Sequence, residues 1–152
     1  MDKLIKDAGG ATHWSADHEA MLEESTRDHF IDVASRRLAI SRLAANLRND
    51  RAAFFDAGCS TGWFLDDIRD EFPNVKAVGG DRILSGLQKI RNRSSGSGCS
   101  HVVQFDLCRA SFADSVFDAI ACLNALEHIE DDLAALREIR RMLKPSGTAF
   151  LM

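Results

Sequence analysis

"FFDAGCSTGWF", Phe54 to Phe64, decides how the chain is read. Its centre, Gly58-Cys59-Ser60-Thr61-Gly62, fits two patterns with different chemistry. As G-x-S-x-G it is a turn that presents a nucleophilic serine. As an acid-x-G-x-G-x-G variant with serine in the middle, it is a loop that lets a nucleotide-like cofactor lie against backbone. The run before it, Ala52 to Asp56, is short, apolar and closed by an acid. After it, Gly62 to Phe72 takes up helical spacing, with Phe64, Leu65, Ile68 and Phe72 on one side, until Pro73-Asn74 stops it.

The same alternation continues outward. Val75 to Gly80 is a short apolar run, and Ile83, Leu84, Leu87 and Ile90 mark a helix that ends in the Gly/Ser-rich "RNRSSGSGCS". "HVVQF", Phe117 to Leu123 and Thr148 to Met152 supply three more strand-like runs. Before the last of these, Leu133, Leu136, Ile139 and Leu143 trace a helix closed by Lys144-Pro145-Ser146-Gly147. Upstream of the loop, from Asp28 to about Asn49, Phe30, Val33, Ile40, Leu43 and Leu47 form the stripe of an amphipathic helix. Residues 1 to about 25 are polar and mixed and predict a loose arm or short helix. Strand and helix in alternation predict parallel strands joined by right-handed crossovers, a doubly wound α/β sheet. The expected division is a helical arm over 1–50 and a cofactor-binding core over 51–152. Ligands of such sheets bind beyond the carboxyl ends of the strands, where strand order reverses. Asp56, Asp81, Asp106 and Asn124 fall at or just past the first four predicted strand ends.

At 152 residues the chain is one domain's worth. Hydrophobic residues make up 45% and charged residues 28%, the balance of a soluble globular protein. A net charge of −4 argues against a general nucleic-acid binder, which needs a basic face. Arg137, Arg140, Arg141 and Lys144, with Glu138 interleaved, read as the solvated side of a helix. Cys59, Cys99, Cys108 and Cys122 lack C-x-x-C spacing, so neither a zinc site nor a disulfide framework is suggested, and a reducing, cytoplasmic setting is expected. The first residues hold no apolar stretch fit for a signal peptide or membrane span.

Ser60, Asp106 and His128 occur in the order of an α/β-hydrolase triad, but such a nucleophile lies in mid-sheet with several strands before it. Here the preceding residues look helical. A nicotinamide dehydrogenase would want G-x-G-x-x-G, and Ser60 and Trp63 stand where its second and third glycines belong. A cofactor without phosphates relaxes that demand. "FFDAGCSTGWFLDDI" resembles the first motif of class I S-adenosylmethionine-dependent methyltransferases, of the small-molecule, type 11/12-like kind. "VKAVGGDRILSGLQKIR" is similar to their second strand, and the stretch from "VVQFDL" through "LNALEHIEDD" and "LKPSG" to Met152 to the rest of the core. Ser60 in place of the middle glycine is a departure from the pattern.

The resemblance implies S-adenosylmethionine as cofactor, held by Asp56, Gly58, Ser60, Gly62, Asp81, Arg82, Asp106, Leu107 and Asn124. In that reading Asp81 grips the ribose hydroxyls, and it lies nineteen residues after Gly62, near the offset of about twenty expected of such an acid. Asp56 orients the cofactor ammonium, and Asp106 contacts the adenine amino group. His128 is the best-placed base should the acceptor need to lose a proton. The implied acceptor is a small molecule, with no metal, nucleic acid or membrane partner. A non-catalytic or truncated cofactor-binding module is the rival reading, because the family continues past the fifth strand with a helix and an antiparallel strand pair. A bare fifth-strand edge is therefore expected either to mark a truncated form or to be covered by a second subunit.

Overall fold

A computed structural model describes residues 27–94 and 101–152. The arm expected before residue 25 and the "SGSGCS" part of the Gly/Ser loop lie outside the described residues. Helix α1 (Phe30–Leu47) leads into β1 (Ala53–Ala57), α2 (Trp63–Glu71), β2 (Lys76–Asp81), α3 (Leu84–Ser94) and β3 (His101–Gln104). Then follow β4 (Phe117–Cys122), α4 (Asp132–Met142) and β5 (Leu143–Leu151), with single 3-10 turns at Leu107–Arg109 and Leu126–His128. The five strands form one sheet in the order β3-β2-β1-β4-β5, and every pair is parallel. The chain thus winds outward from β1 in both directions, the doubly wound arrangement that the alternation predicts. The reversal lies between β1 and β4, so the switch point opens at the carboxyl ends of Asp56-Ala57 and Ala121-Cys122.

The pleat of β1 sorts its side chains between two cores. Phe54 joins Ala39, Leu43 and Leu47 of α1, Leu65 and Ile68 of α2 and Leu87 and Ile90 of α3 on one face. Phe55 and Ala57 face the other way, among Phe105, Phe117, Ile120 and the α4 residues Ala135, Ile139 and Met142. That second core is a phenylalanine cluster: Phe55 lies 5.2 Å from Phe105, 5.0 Å from Phe112 and 5.0 Å from Phe117 between ring centroids. The chain has nine phenylalanines and no tyrosine, so this cluster carries no hydroxyl that needs a partner.

Side-chain bonds fix α1 at both ends. Asn46 donates to the Ser146 carbonyl at 3.0 Å near the start of β5, and Asn124, just past β4, reaches Asp32 at 3.5 Å. The helix therefore runs against the strands, and its first turn stands at their carboxyl ends. Arg36 bonds Asp67 of α2 at 2.6 Å and holds the helix sideways.

Three sequence expectations need correction. Phe30 is 75% exposed and Leu133 59%, so neither belongs to a buried stripe. In α1 the inward positions are Ser35, Ala39, Leu43 and Leu47, and in α4 they are Ala135, Ile139 and Met142. Small residues at the sheet contact let helix and sheet approach closely, which a reading of large apolar residues alone passes over. Second, β5 begins at Leu143 and not Thr148: Leu143 pairs with Phe117 and Thr148 with Ala119, so Lys144 to Gly147 form a bulge opposite Asp118. Third, Arg137 and Arg140 are exposed, but Arg141 and Lys144 are not simply solvated. Lys144 bonds Asp118 at 2.7 Å, and Arg141 donates to Glu138, Asp114 and the carbonyls of Ala110 and Phe112.

Candidate cofactor site

The loop after β1 is built by alternating backbone handedness. Gly58, Ser60 and Gly62 have φ of +84°, +48° and +83°, the region that favours glycine. Gly58 is also tight for space, since a Cβ there would lie 2.5 Å from the Cβ of Ala125 in the loop after β4. Ser60 accepts the same strained geometry without being glycine.

The amides of this loop are already committed. Gly58 and Cys59 both donate to the Gly80 carbonyl, at 2.8 and 3.0 Å, Ser60 donates to the Asp81 carboxylate at 2.8 Å, and Gly62 donates to the Cys59 carbonyl at 2.8 Å. A pyrophosphate cradle needs such amides to point at the ligand. Here they tie the loop to the end of β2, an arrangement suited to a ligand that presents no phosphate.

What the loop leaves at the rim is acidic. Asp56 is 3% exposed, and burial, with the neighbouring Asp81 charge, pushes its carboxyl up to about 8. No hydrogen bond to that carboxylate is formed among the described residues. Asp81 accepts from Ser60 with one oxygen and from Ile83, at 2.8 Å, with the other. Behind Asp56, burial and the Asp56 charge push the Cys122 thiol up to about 12, which makes it an inert packing group. Cys59 is buried against Gly79 of β2, whose added Cβ would lie 2.8 Å from its sulfur.

The remaining sequence-predicted residues spread around the same rim. Asp106 accepts from the Cys108 amide at 2.9 Å and caps the turn in which Leu107 is buried. Arg82 is half-buried, and its carbonyl accepts from Gln104 at 2.9 Å. His128 closes the turn after β4, with its amide on the Ala125 carbonyl at 3.1 Å. Asn124 has φ +51°, donates its backbone amide to the Met152 carbonyl at 2.8 Å, and its side chain reaches Asp32.

Two features escape a reading of the sequence. Trp63, at the head of α2, lies between the guanidinium groups of Arg93 and Arg27, 4.2 and 4.8 Å from its ring. Arg93 also bonds the Thr61 carbonyl and Asp66, both at 2.8 Å, so α3 braces the glycine loop from behind. The other is the first turn of α1, where His29 and Asp32 reach the rim. An acid three residues after the cap position His29 is the local signal there, and it points to capping. Among the described residues no group of three metal-ligating side chains gathers, and no helix is long and apolar enough to cross a membrane.

Comparison with known proteins agrees with this geometry. The family described as "Methyltransferase domain" matches residues 55–151. A ubiquinone biosynthesis O-methyltransferase of Xanthomonas campestris pv. campestris is 29% identical over 109 residues, 72% of this chain and 46% of that protein. The chain thus spans about half the length of the curated relatives it matches. Among solved structures, a Methanococcus maripaludis protein assigned as an S-adenosyl-L-methionine-dependent methyltransferase superposes with a TM-score of 0.77 at 16% identity. The alignment covers 96% of this chain and 67% of that one. The [4+2]-cyclase SpnF superposes at 0.68 with 22% identity, over 79% of this chain and 45% of its own, so the fold by itself does not specify methyl transfer. The family match covers well over half of the sequence, and the chain belongs to the methyltransferase domain family, in its class I S-adenosylmethionine-dependent branch.

Proposed function

We propose that the chain binds S-adenosylmethionine at the carboxyl ends of β1, β2 and β4 and serves methyl transfer to a small-molecule acceptor. The carrying observation is the division of labour at the glycine loop: its amides bond Gly80, Asp81 and Cys59, while the buried Asp56 carboxylate has no cation beside it among the described residues. A ligand with an ammonium, a ribose diol and no phosphate suits that donor set. In this reading Asp56 takes the ammonium, Asp81 the ribose hydroxyls and Asp106 the adenine edge. Gly58, Ser60, Gly62, Arg82, Leu107 and Asn124 shape the walls. The bound cofactor supplies a methyl group already activated by a positive sulfur, so the protein's share is proximity and alignment. The name of the Xanthomonas relative supports an acceptor of small size. Ser60 serves as a loop residue in this reading and not as a nucleophile.

Calorimetric titration with S-adenosylmethionine and S-adenosylhomocysteine, with a nicotinamide dinucleotide as control, tests the reading. Saturable binding of both sulfur ligands and none of the control is expected. Asp81→Asn should weaken S-adenosylhomocysteine at least about tenfold, the loss of a charge-assisted acceptor worth about 1.5–3 kcal/mol. A thermal melt checks that the Ser60 and Ile83 bonds survive in this variant. Unchanged affinity in a folded variant would remove Asp81 from the site.

A further inference from the structure

Gly62 ends the glycine loop and caps α2 with φ of +83°, and the peptide plane that joins it to Thr61 is held at both of its polar ends. The Gly62 N–H donates to the Cys59 carbonyl at 2.8 Å, and the Thr61 carbonyl accepts from Arg93 of α3 at 2.8 Å. We propose that Arg93 is a positioning residue for the cofactor: its hold on the Thr61 carbonyl keeps this plane in the orientation that shapes the glycine loop for binding. This rests on the S-adenosylmethionine reading and adds to it a residue that acts through the loop, from behind it.

The plane has a second orientation within reach. Turning it over swings φ of Gly62 by about 180°, from +83° to about −97°, and glycine takes up either sign. The turned plane sets the Thr61 carbonyl toward that of Cys59 and takes it away from Arg93. The Arg93 bond therefore exists in one orientation only, and such a differential contact is what selects between two states. The loop cannot supply the bias with a larger residue at 62, because a Cβ there would lie 2.7 Å from Cγ1 of Ile90.

Arg93 is in turn fixed by its surroundings. The nitrogen that meets Thr61 lies 2.8 Å from Asp66 in the first turn of α2, and the guanidinium stacks 4.2 Å from the Trp63 ring. Arg27 lies 4.8 Å from the same ring. The indole N–H of Trp63 is buried without a hydrogen-bond partner among the described residues. Phenylalanine would pack there with no donor to bury, but tryptophan is the better ring for holding a guanidinium. Arg93 keeps 34% of its side chain exposed, so no one of these contacts is strong. Carbonyl, carboxylate and ring converge on one planar group, and together they set it.

Calorimetry and stopped-flow binding of S-adenosylhomocysteine to the 152-residue chain test the proposal. Arg93→Met keeps the stem and removes the donor. It should weaken the ligand about tenfold, with the loss in the association rate and dissociation unchanged, because only chains with the plane correctly set can bind. Arg69→Met is the control, since Arg69 bonds the other oxygen of Asp66 from within α2. It should lower the melting temperature while leaving affinity unchanged. Where Arg93→Met melts too early to assay, Arg93→Lys keeps a cation beside Asp66 and should still lose about threefold, because an ammonium does not replace the planar fork. Unchanged affinity in a folded Arg93 variant, an equal loss in Arg69→Met, or a loss confined to the dissociation rate overturns the proposal and leaves the cofactor reading standing. Absence of S-adenosylhomocysteine binding by the intact chain overturns both.

Discussion

Asp56 is held against its own preference, and the consequence can be measured. Its carboxyl is pushed from an ordinary 3.8 up to about 8, so between these values the folded chain binds one more proton than the unfolded chain. Stability is then lost as pH rises through that window, by about 1.4 kcal/mol for each pH unit, and levels off above pH 8. Asp56→Asn should abolish this slope and melt higher than the parent at pH 8. A cation placed beside Asp56 favours its ionised form. Cofactor binding near pH 7 should therefore release up to one proton, read as a dependence of the calorimetric heat on buffer ionisation enthalpy, and the Asn variant should release none. Gly58 makes the opposite kind of contribution, because it is required for room and for handedness. Gly58→Ala places a methyl 2.5 Å from Ala125 at φ +84°, and it should cost at least about 1–2 kcal/mol in a denaturant titration. Both residues were legible in the sequence, since an acid at a strand end followed by glycines is a local pattern. The charge state of Asp56 was not, because burial between β2 and β4 is a property of the sheet.

Among the elements, the strands were the more readable, for β1 and β4 are short apolar runs bounded by turn residues. The limits of β5 were hidden: Pro145 and Gly147 read as a stop, yet the chain resumes pairing across the bulge, and Lys144 closes it on Asp118. The inward face of α4 was misread for a related reason, since Ala135 carries little hydrophobic signal but sits against the sheet. What α4 holds in place is the segment after β3. Arg141 bonds Glu138, Asp114 and the carbonyls of Ala110 and Phe112, and Glu138 in turn accepts from the Ala110 amide at 3.1 Å. Asp106 and Leu107 lie at the start of that segment, so the wall proposed for adenine depends on a helix on the far side of the sheet from α1. Arg141→Met should cost about 1–3 kcal/mol by leaving those carbonyls without a donor. The Arg141 hydrogen bond also holds the Glu138 carboxyl below its usual 4.5. Its stabilisation is present above the unfolded value and lost as pH falls through the folded one, so the variant should also show a shallower acid limb in a pH series of denaturant midpoints.

For the whole molecule, the doubly wound order places two strands at the margins, and they differ in kind. β3 is four residues long, a short edge of the sort that resists unwanted pairing, whereas β5 runs for nine residues and ends in exposed Leu151 and Met152. Asn124 donates its amide to the Met152 carbonyl and Met152 donates its own to the Cys122 carbonyl, so the carboxyl end of β5 stands beside the rim that holds His29 and Asn124. A second copy of the chain pairing along β5 would cover that edge and add a wall where an acceptor would sit. Sedimentation velocity should accordingly show concentration-dependent self-association of the 152-residue chain, and Leu151→Lys should shift it to monomer, because a charge on an edge strand opposes strand addition. Cofactor affinity should be the same in both, since the proposed cofactor residues Gly58, Asp81 and Asp106 lie just past β1, at the end of β2 and after β3, away from the β5 edge. A chain that remains monomeric at every concentration, yet turns over as fast as its Leu151→Lys variant, would show that the β5 edge plays no part in the acceptor site and that α1 alone walls it.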